Sequence, residues 1–221
     1  MVVRDGEAAD GTPTLETLML RRNERGTFGG MWVFPGGRVD DDDIDPTAPD
    51  DDIAAGRRAA VREAMEEAAL VLDPAELVAV SHWRPPSTTP KGFATWFFVA
   101  VGSDAEVGID GAEIHEHAWL APAEVLRRRD AGELTLAPPT FVTLTVLAQH
   151  TTVVGLLDTL RDATPERFHT QIGRDGDTSA AFWHGDESYE AQPGSAGARH
   201  RLIMSEDGWR YVRSPIRDEH S

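Results

Sequence analysis

Arg62-Glu63-Ala64-Met65-Glu66-Glu67, inside the segment IAAGRRAAVREAMEEAALVL at positions 53–72, is the stretch on which the reading of this chain turns. The segment is rich in Ala, Glu and Arg, and aspartates stand just before it, where negative charge favours the start of a helix. Val61, Ala64, Ala68 and Val71 recur at helical spacing and form one apolar stripe. The pattern predicts a helix over 53–72, stopped by Asp73-Pro74. On that helix Glu63 lies three residues before Glu66 and four before Glu67, so three carboxylates gather near one face. Like charges so placed cost a bare helix roughly a few tenths of a kcal/mol per pair. Two readings are open: a solvated acidic face, common in Glu-rich helices, or a site where a hard divalent cation offsets the repulsion.

Upstream, positions 26–37 (GTFGGMWVFPGG) read as a loop holding an aromatic strand fragment. Its end, Phe34-Pro35-Gly36-Gly37, makes a tight turn where a backbone carbonyl can point at a bound ion. Positions 40–52 carry eight aspartates and two prolines, too acidic and too broken for a core element, and are expected to form an exposed insertion. Strands are expected at 14–22, 76–83, 93–101 and 116–120, and positions 1–5 look like part of another. Helices are expected at 122–131, 138–150 and 153–161, the second with proline at its first turn. Beyond about residue 163 the chain changes to short strands between Gly, Asp and Ser turns, at 167–172, 179–184, 200–205 and 209–213. The expected division is an α/β domain over 1–150 and a C-terminal extension over 151–221, made of a helix and β-hairpins.

The 221 residues suffice for one ordinary domain with an appendage. No cysteine is present, which excludes disulfide scaffolds, zinc–thiolate sites, iron–sulfur clusters and cysteine nucleophiles. A formal net charge of −17 is the wrong sign for a sequence-independent binder of nucleic-acid polymers, and it suits a protein that gathers divalent cations. The longest apolar stretch, 93–101, is about half a membrane span. Charge at Arg4 and Asp5 comes before a signal-peptide apolar region could form, so no signal peptide is expected. The expectation is a cytoplasmic protein with no membrane partner.

An FPGG turn followed by a helix bearing R-E-x-x-E-E resembles the Nudix hydrolases, whose signature is G-x5-E-x7-R-E-U-x-E-E-x-G-U, with U a bulky apolar residue. Leu20-Arg21-Arg22 before the box, the apolar 93–101 stretch after it and Trp119-Leu120-x-x-x-Glu124 extend the similarity. Within the family, MWVFPGGRVD, AAVREAMEEA and GELTLAPPTFVTL look like the branch with an expanded box that includes the coenzyme A diphosphatases. The resemblance implies a Nudix-type α/β/α sandwich with a mixed central sheet. It implies hydrolysis of a diphosphate linkage in a small molecule of nucleoside-diphosphate or coenzyme A type, with Mg²⁺ or Mn²⁺ as cofactor. A non-catalytic ligand-binding module of the same fold is the alternative.

Carried over by position, Glu66 and Glu67 would be metal ligands, Gly37 would add its carbonyl, Glu63 would be ligand or base, and Arg62 would orient the glutamates. Glu113 and Glu116 are the candidates for a further base, and Arg21, Arg22 and Lys91 for contact with phosphate. Trp32, Trp83 and Trp96 are read first as core residues and second as stacking platforms. Three departures stand out. Gly37 and Arg62 are separated by 24 residues against 13 in the signature. The first box glutamate falls on Ala54, so an aspartate of the insertion (Asp50, Asp51 or Asp52) is the expected holder of Arg62. The final box glycine is Ala69 and the first bulky apolar position is Ala64. The extension is expected to cap the domain, cover the pocket or build a homodimer contact, with no sequence signal to choose among them.

Overall fold

The computed structural model describes residues 1–8, 10–24, 28–89, 92–102, 106–109, 111–189 and 197–214; Lys91 lies outside them. The chain divides into two compact units, residues 1–81 with 95–166, and residues 82–94 with 167–221. No helix among the described residues is long and apolar enough to cross a membrane.

The first unit is built on a mixed sheet. Its strands are β1 (Val2–Glu7), β2 (Pro13–Arg22), β3 (Trp32–Val33), β4 (Val78–Arg84), β5 (Thr95–Val101) and β6 (Ile114–Leu120), with β4 running on into the second unit. The order is β3-β2-β1-β5-β4, and β6 also pairs with β2. β1 is antiparallel to β2 through Val3–Thr17 and Asp5–Leu15, and parallel to β5 through Val3–Val101. β2 is thus the hub of the sheet: β1 and β3 pair with it, and β6 runs antiparallel to it from Thr17–Leu120 to Arg22–Ile114.

The helices are α1 (Asp52–Ala68), α2 (Pro122–Asp130), α3 (Pro138–Leu147) and α4 (Val153–Arg161). Helix α1 starts where the Asp51 carboxylate accepts the Ala54 N–H at 3.0 Å. Its Ala64 and Ala68 pack on Leu18 and Leu20 of β2 together with Val2, Leu70 and Ile114. Ile53, Ala60 and Val61 close a second apolar cluster over Leu77, Phe98 and Ala100. Small residues in the stripe let the helix lie close to the sheet, and that closeness brings its next residues against the end of β2. Helices α2 and α3 open with proline near the first helical position, where the absent N–H has no partner to lose. Helix α4 is tied to β1 by Asp5, whose carboxylate accepts the Val153 N–H at 2.7 Å.

The second unit holds β7 (Glu166–His169), which begins in the first, and a four-stranded antiparallel sheet of order β11-β10-β9-β8. Those strands are β8 (Gln171–Asp175), β9 (Thr178–Phe182), β10 (His200–Ser205) and β11 (Gly208–Arg213). Trp83 stacks on Phe168 at 3.8 Å between ring centroids, and Trp183 meets both edge-on. Arg201 and Asp186, both buried, form a two-pronged ion pair at 2.6 and 2.7 Å.

Four local expectations are corrected. Helix α1 ends at Ala68 rather than at 72, because Ala69 turns left-handed, and Val71 of the supposed stripe is 83% exposed beyond it. The single strand expected at 167–172 is two, β7 and β8, broken at Thr170, whose N–H donates to the Arg84 carbonyl at 3.0 Å. The acidic insertion is mostly exposed, but it folds a 3-10 turn, Asp41–Asp43, and the last aspartate of that turn is buried. The helix expected at 138–150 ends at Leu147.

Candidate active site

Two carboxylates of α1, those of Glu63 and Glu67, reach the turn after β3, and that of Glu67 also meets the end of β2. Glu67 is 4% exposed, buried among the apolar residues that pack α1 on the sheet. Its carboxylate accepts the Gly36 N–H at 2.9 Å and an Arg22 N–H at 3.3 Å. Arg22 reaches it because alternate residues of a strand share a face: Leu18, Leu20 and Arg22 all look toward α1. The other end of the Arg22 guanidinium pairs with Glu113, just before β6. Burial pushes the Glu67 carboxyl up to about 7, against the pull of the Gly36 N–H and the Arg22 charge.

Glu63, one turn earlier, is half-buried and also raised, again by burial first and against the Arg62 charge. It lies against the glycine turn so closely that a Cβ on Gly37 would overlap its carboxylate. Gly36 has φ +151°, a backbone that L side chains rarely adopt. The FPGG sequence therefore serves two needs at once: a turn only glycine makes easily, and a surface flat enough for a glutamate.

Arg62 sits over the outer carboxylates. One of its terminal nitrogens donates to Glu63 at 2.9 Å and to Glu66 at 3.2 Å; the other donates to the Arg38 carbonyl at 2.8 Å and to Asp43 at 2.9 Å. Its Nε also faces Asp43, at 3.4 Å. These hydrogen bonds, those to Asp43 first, raise the guanidinium pKa, so its charge is permanent. The holder of Arg62 is thus Asp43, not Asp50, Asp51 or Asp52; Asp51 caps α1 instead. Sequence spacing could not find Asp43, since nothing distinguishes it from the seven aspartates around it except that it folds inward.

The remaining predicted residues fall elsewhere. Arg21 and Glu116 pair across strands β2 and β6 at 3.6 Å on the face away from α1. They line a cavity of about 490 Å³ with Trp32, Arg128 and the segment from Gly132 to Thr135. That segment is fixed by a Trp32 N–H bond to the Thr135 carbonyl at 3.0 Å. Arg128 is held by Glu124 at 2.7 Å. Trp32 and Trp83 are buried, and Trp96 packs against the Leu77–Phe98 cluster.

Among the described residues, no three acidic or histidine side chains stand gathered as a finished metal cage. The donor chemistry nevertheless fits a hard divalent cation. Glu63, Glu66 and Glu67 offer oxygens only, a glycine turn abuts Glu63 and Glu67, and Glu67 is buried where its charge needs compensation.

A family model for the NUDIX domain matches residues 2–139. No match was found among curated proteins. Among solved structures, the chain is similar to a NUDIX hydrolase from Alicyclobacillus acidocaldarius, with 26% identity over 72% of this chain and 93% of that one and a TM-score of 0.62. It also matches the NUDIX domain of Shewanella oneidensis NrtR complexed with ADP ribose, at 21% identity over 67% and 82% of the two chains with a TM-score of 0.46. A C. elegans Ap4A hydrolase matches at 20% identity over 67% and 93%, with a TM-score of 0.40.

Proposed function

The chain belongs to the Nudix family and is a hydrolase of diphosphate bonds, and on that premise we propose that it cleaves a diphosphate linkage in a nucleotide- or coenzyme A-type small molecule, using Mg²⁺ or Mn²⁺. One observation carries the metal part of this reading. A buried glutamate, Glu67, shares a helix face with Glu63 and Glu66 and adjoins the Gly36-Gly37 turn. Glu63, Glu66 and Glu67, with the Gly37 carbonyl, would hold the cation. When bound it neutralises diphosphate charge and lowers the pKa of a coordinated water.

The residues of the chain divide the remaining work. Arg62 holds Glu63 and Glu66 in place, and Arg22 holds Glu67. Glu113, tethered by the same Arg22, is better placed than Glu116 to take a proton from the attacking water, because Glu116 faces the other side of the sheet. The cavity around Arg21, Trp32 and Arg128 lies on the face of the sheet away from α1, so it would receive a part of the substrate other than the diphosphate. The coenzyme A reading is supported by the similarity of the stretches at 31–40 and 132–144 to the expanded-box branch, and the second of these walls the cavity through Gly132 to Thr135.

The test is a substrate panel with Mg²⁺ or Mn²⁺: coenzyme A and its acyl esters, NADH, ADP-ribose, diadenosine polyphosphates and nucleoside triphosphates. Metal-stimulated release of a phosphate-terminated product from coenzyme A above the other compounds is expected. Turnover of a different member would move the substrate assignment. No turnover of any member would favour a binding module that keeps the fold without hydrolysis.

A further inference from the structure

Asp43 stands in a run of exposed aspartates, yet it is 5% exposed and more firmly held than any of its neighbours in the insertion. Three contacts fix it. Its carboxylate accepts the Asp40 N–H at 2.9 Å, closing the 3-10 turn on itself. Its carbonyl accepts from Arg58 Nε at 2.5 Å, one turn before Arg62 on α1. Its carboxylate faces Arg62 with both oxygens, at 2.9 and 3.4 Å. A guanidinium is rigid and planar, so a carboxylate that grips one edge sets the direction of the opposite edge. The opposite edge of Arg62 is the one that donates to Glu63 and Glu66.

We infer that Asp43 is a positioning residue, acting through Arg62 to set the metal-facing carboxylates of Glu63 and Glu66. The acidic insertion, on this account, is an arm that delivers one aspartate to the helix from outside the signature spacing. The inference rests on the metal-dependent reading above. It differs from a purely structural role, in which Asp43 would pin the insertion to α1 and leave cation binding untouched.

The experiment is Mn²⁺ binding to the full chain, followed by the electron paramagnetic resonance signal of free Mn²⁺, in the wild type and in Asp43→Asn, Arg62→Ala, the double variant, and Asp42→Asn as an exposed control. Asp43→Asn is expected to weaken binding by about tenfold or more, the usual size for loss of an outer-shell partner. The double variant is expected to bind no more weakly than Arg62→Ala alone, because both changes cut one relay. Asp42→Asn should bind as the wild type does. Should Asp43→Asn lose its helical circular dichroism, Asp43→Glu replaces it; the longer arm pushes the guanidinium out of register, and weaker binding is expected again. Wild-type affinity in a folded Asp43 variant, or additive losses in the double variant, overturns the inference while leaving the metal site standing. A wild type that binds no Mn²⁺ overturns both.

Discussion

Glu67 places a carboxylate where water scarcely reaches, and its titration follows from that. Burial lifts its pKa to about 7, while an unfolded glutamate titrates near ~4.3. The fold without a cation therefore favours the neutral form. The stability this gives is complete below the unfolded value and is lost as pH rises through about 7. Glu67→Gln keeps the shape and removes the charge. In the presence of a chelator, this variant should outlast the wild type at pH 8 by on the order of 2 kcal/mol and match it near pH 4. Urea unfolding at the two pH values checks this, and equal midpoints at pH 8 would contradict it. Glu67 was legible in the sequence as part of the acidic triad, but its burial was not, since that depends on the alanines beside it packing on β2.

At the scale of the element, α1 carries its own defect. Ala69 closes the helix at φ 55°, a left-handed conformation in which a Cβ crowds the following carbonyl oxygen. Ala69→Gly should stabilise the protein by about 1 kcal/mol, read as a higher denaturant midpoint with unchanged slope. A lower midpoint would show that the alanine methyl is needed where it is. The body of this helix was readable from its periodicity; its end was not, because Leu70 and Leu72 continue the apolar count after the backbone has turned. The strands were similarly readable where alternation ran long, as at Pro13–Arg22, and misread at Thr170, where one hydrogen bond to Arg84 splits a run that looks continuous. Arg21 and Arg22 show both limits. Two adjacent arginines look alike in sequence, yet the strand sends one to the glutamates of α1 and the other into the cavity behind the sheet.

At the scale of the whole chain, the second unit is held by a buried ion pair of its own. Burial alone would raise the Asp186 carboxyl, but the Arg201 guanidinium and the His200 and Ser188 N–H groups hold it below the ordinary aspartate value. Its contribution to stability is present above that ordinary value, near ~3.9, and is lost as pH falls through the depressed one. Arg201→Met leaves the buried charge unpaired and should destabilise this unit by about 3–5 kcal/mol at pH 7. Thermal unfolding followed by tryptophan fluorescence reports on Trp183, which is fully buried in the same unit. An unchanged midpoint would mean that the pair contributes nothing. No motif announced this network, because an Arg and an Asp 15 positions apart in a strand-and-turn region carry no local signal.

The net charge of −17 and the buried Glu67 beside the glycine turn bear on one claim, that α1 and the Gly36-Gly37 turn form a cradle for a divalent cation. Anomalous diffraction from crystals of the chain soaked in Mn²⁺ with a non-hydrolysable diphosphate tests it most directly. A manganese peak bonded to oxygens of Glu63, Glu66 and Glu67 is the predicted result; a well-occupied peak elsewhere, with those carboxylates still bound only to Arg62, Arg22 and Gly36, would contradict it.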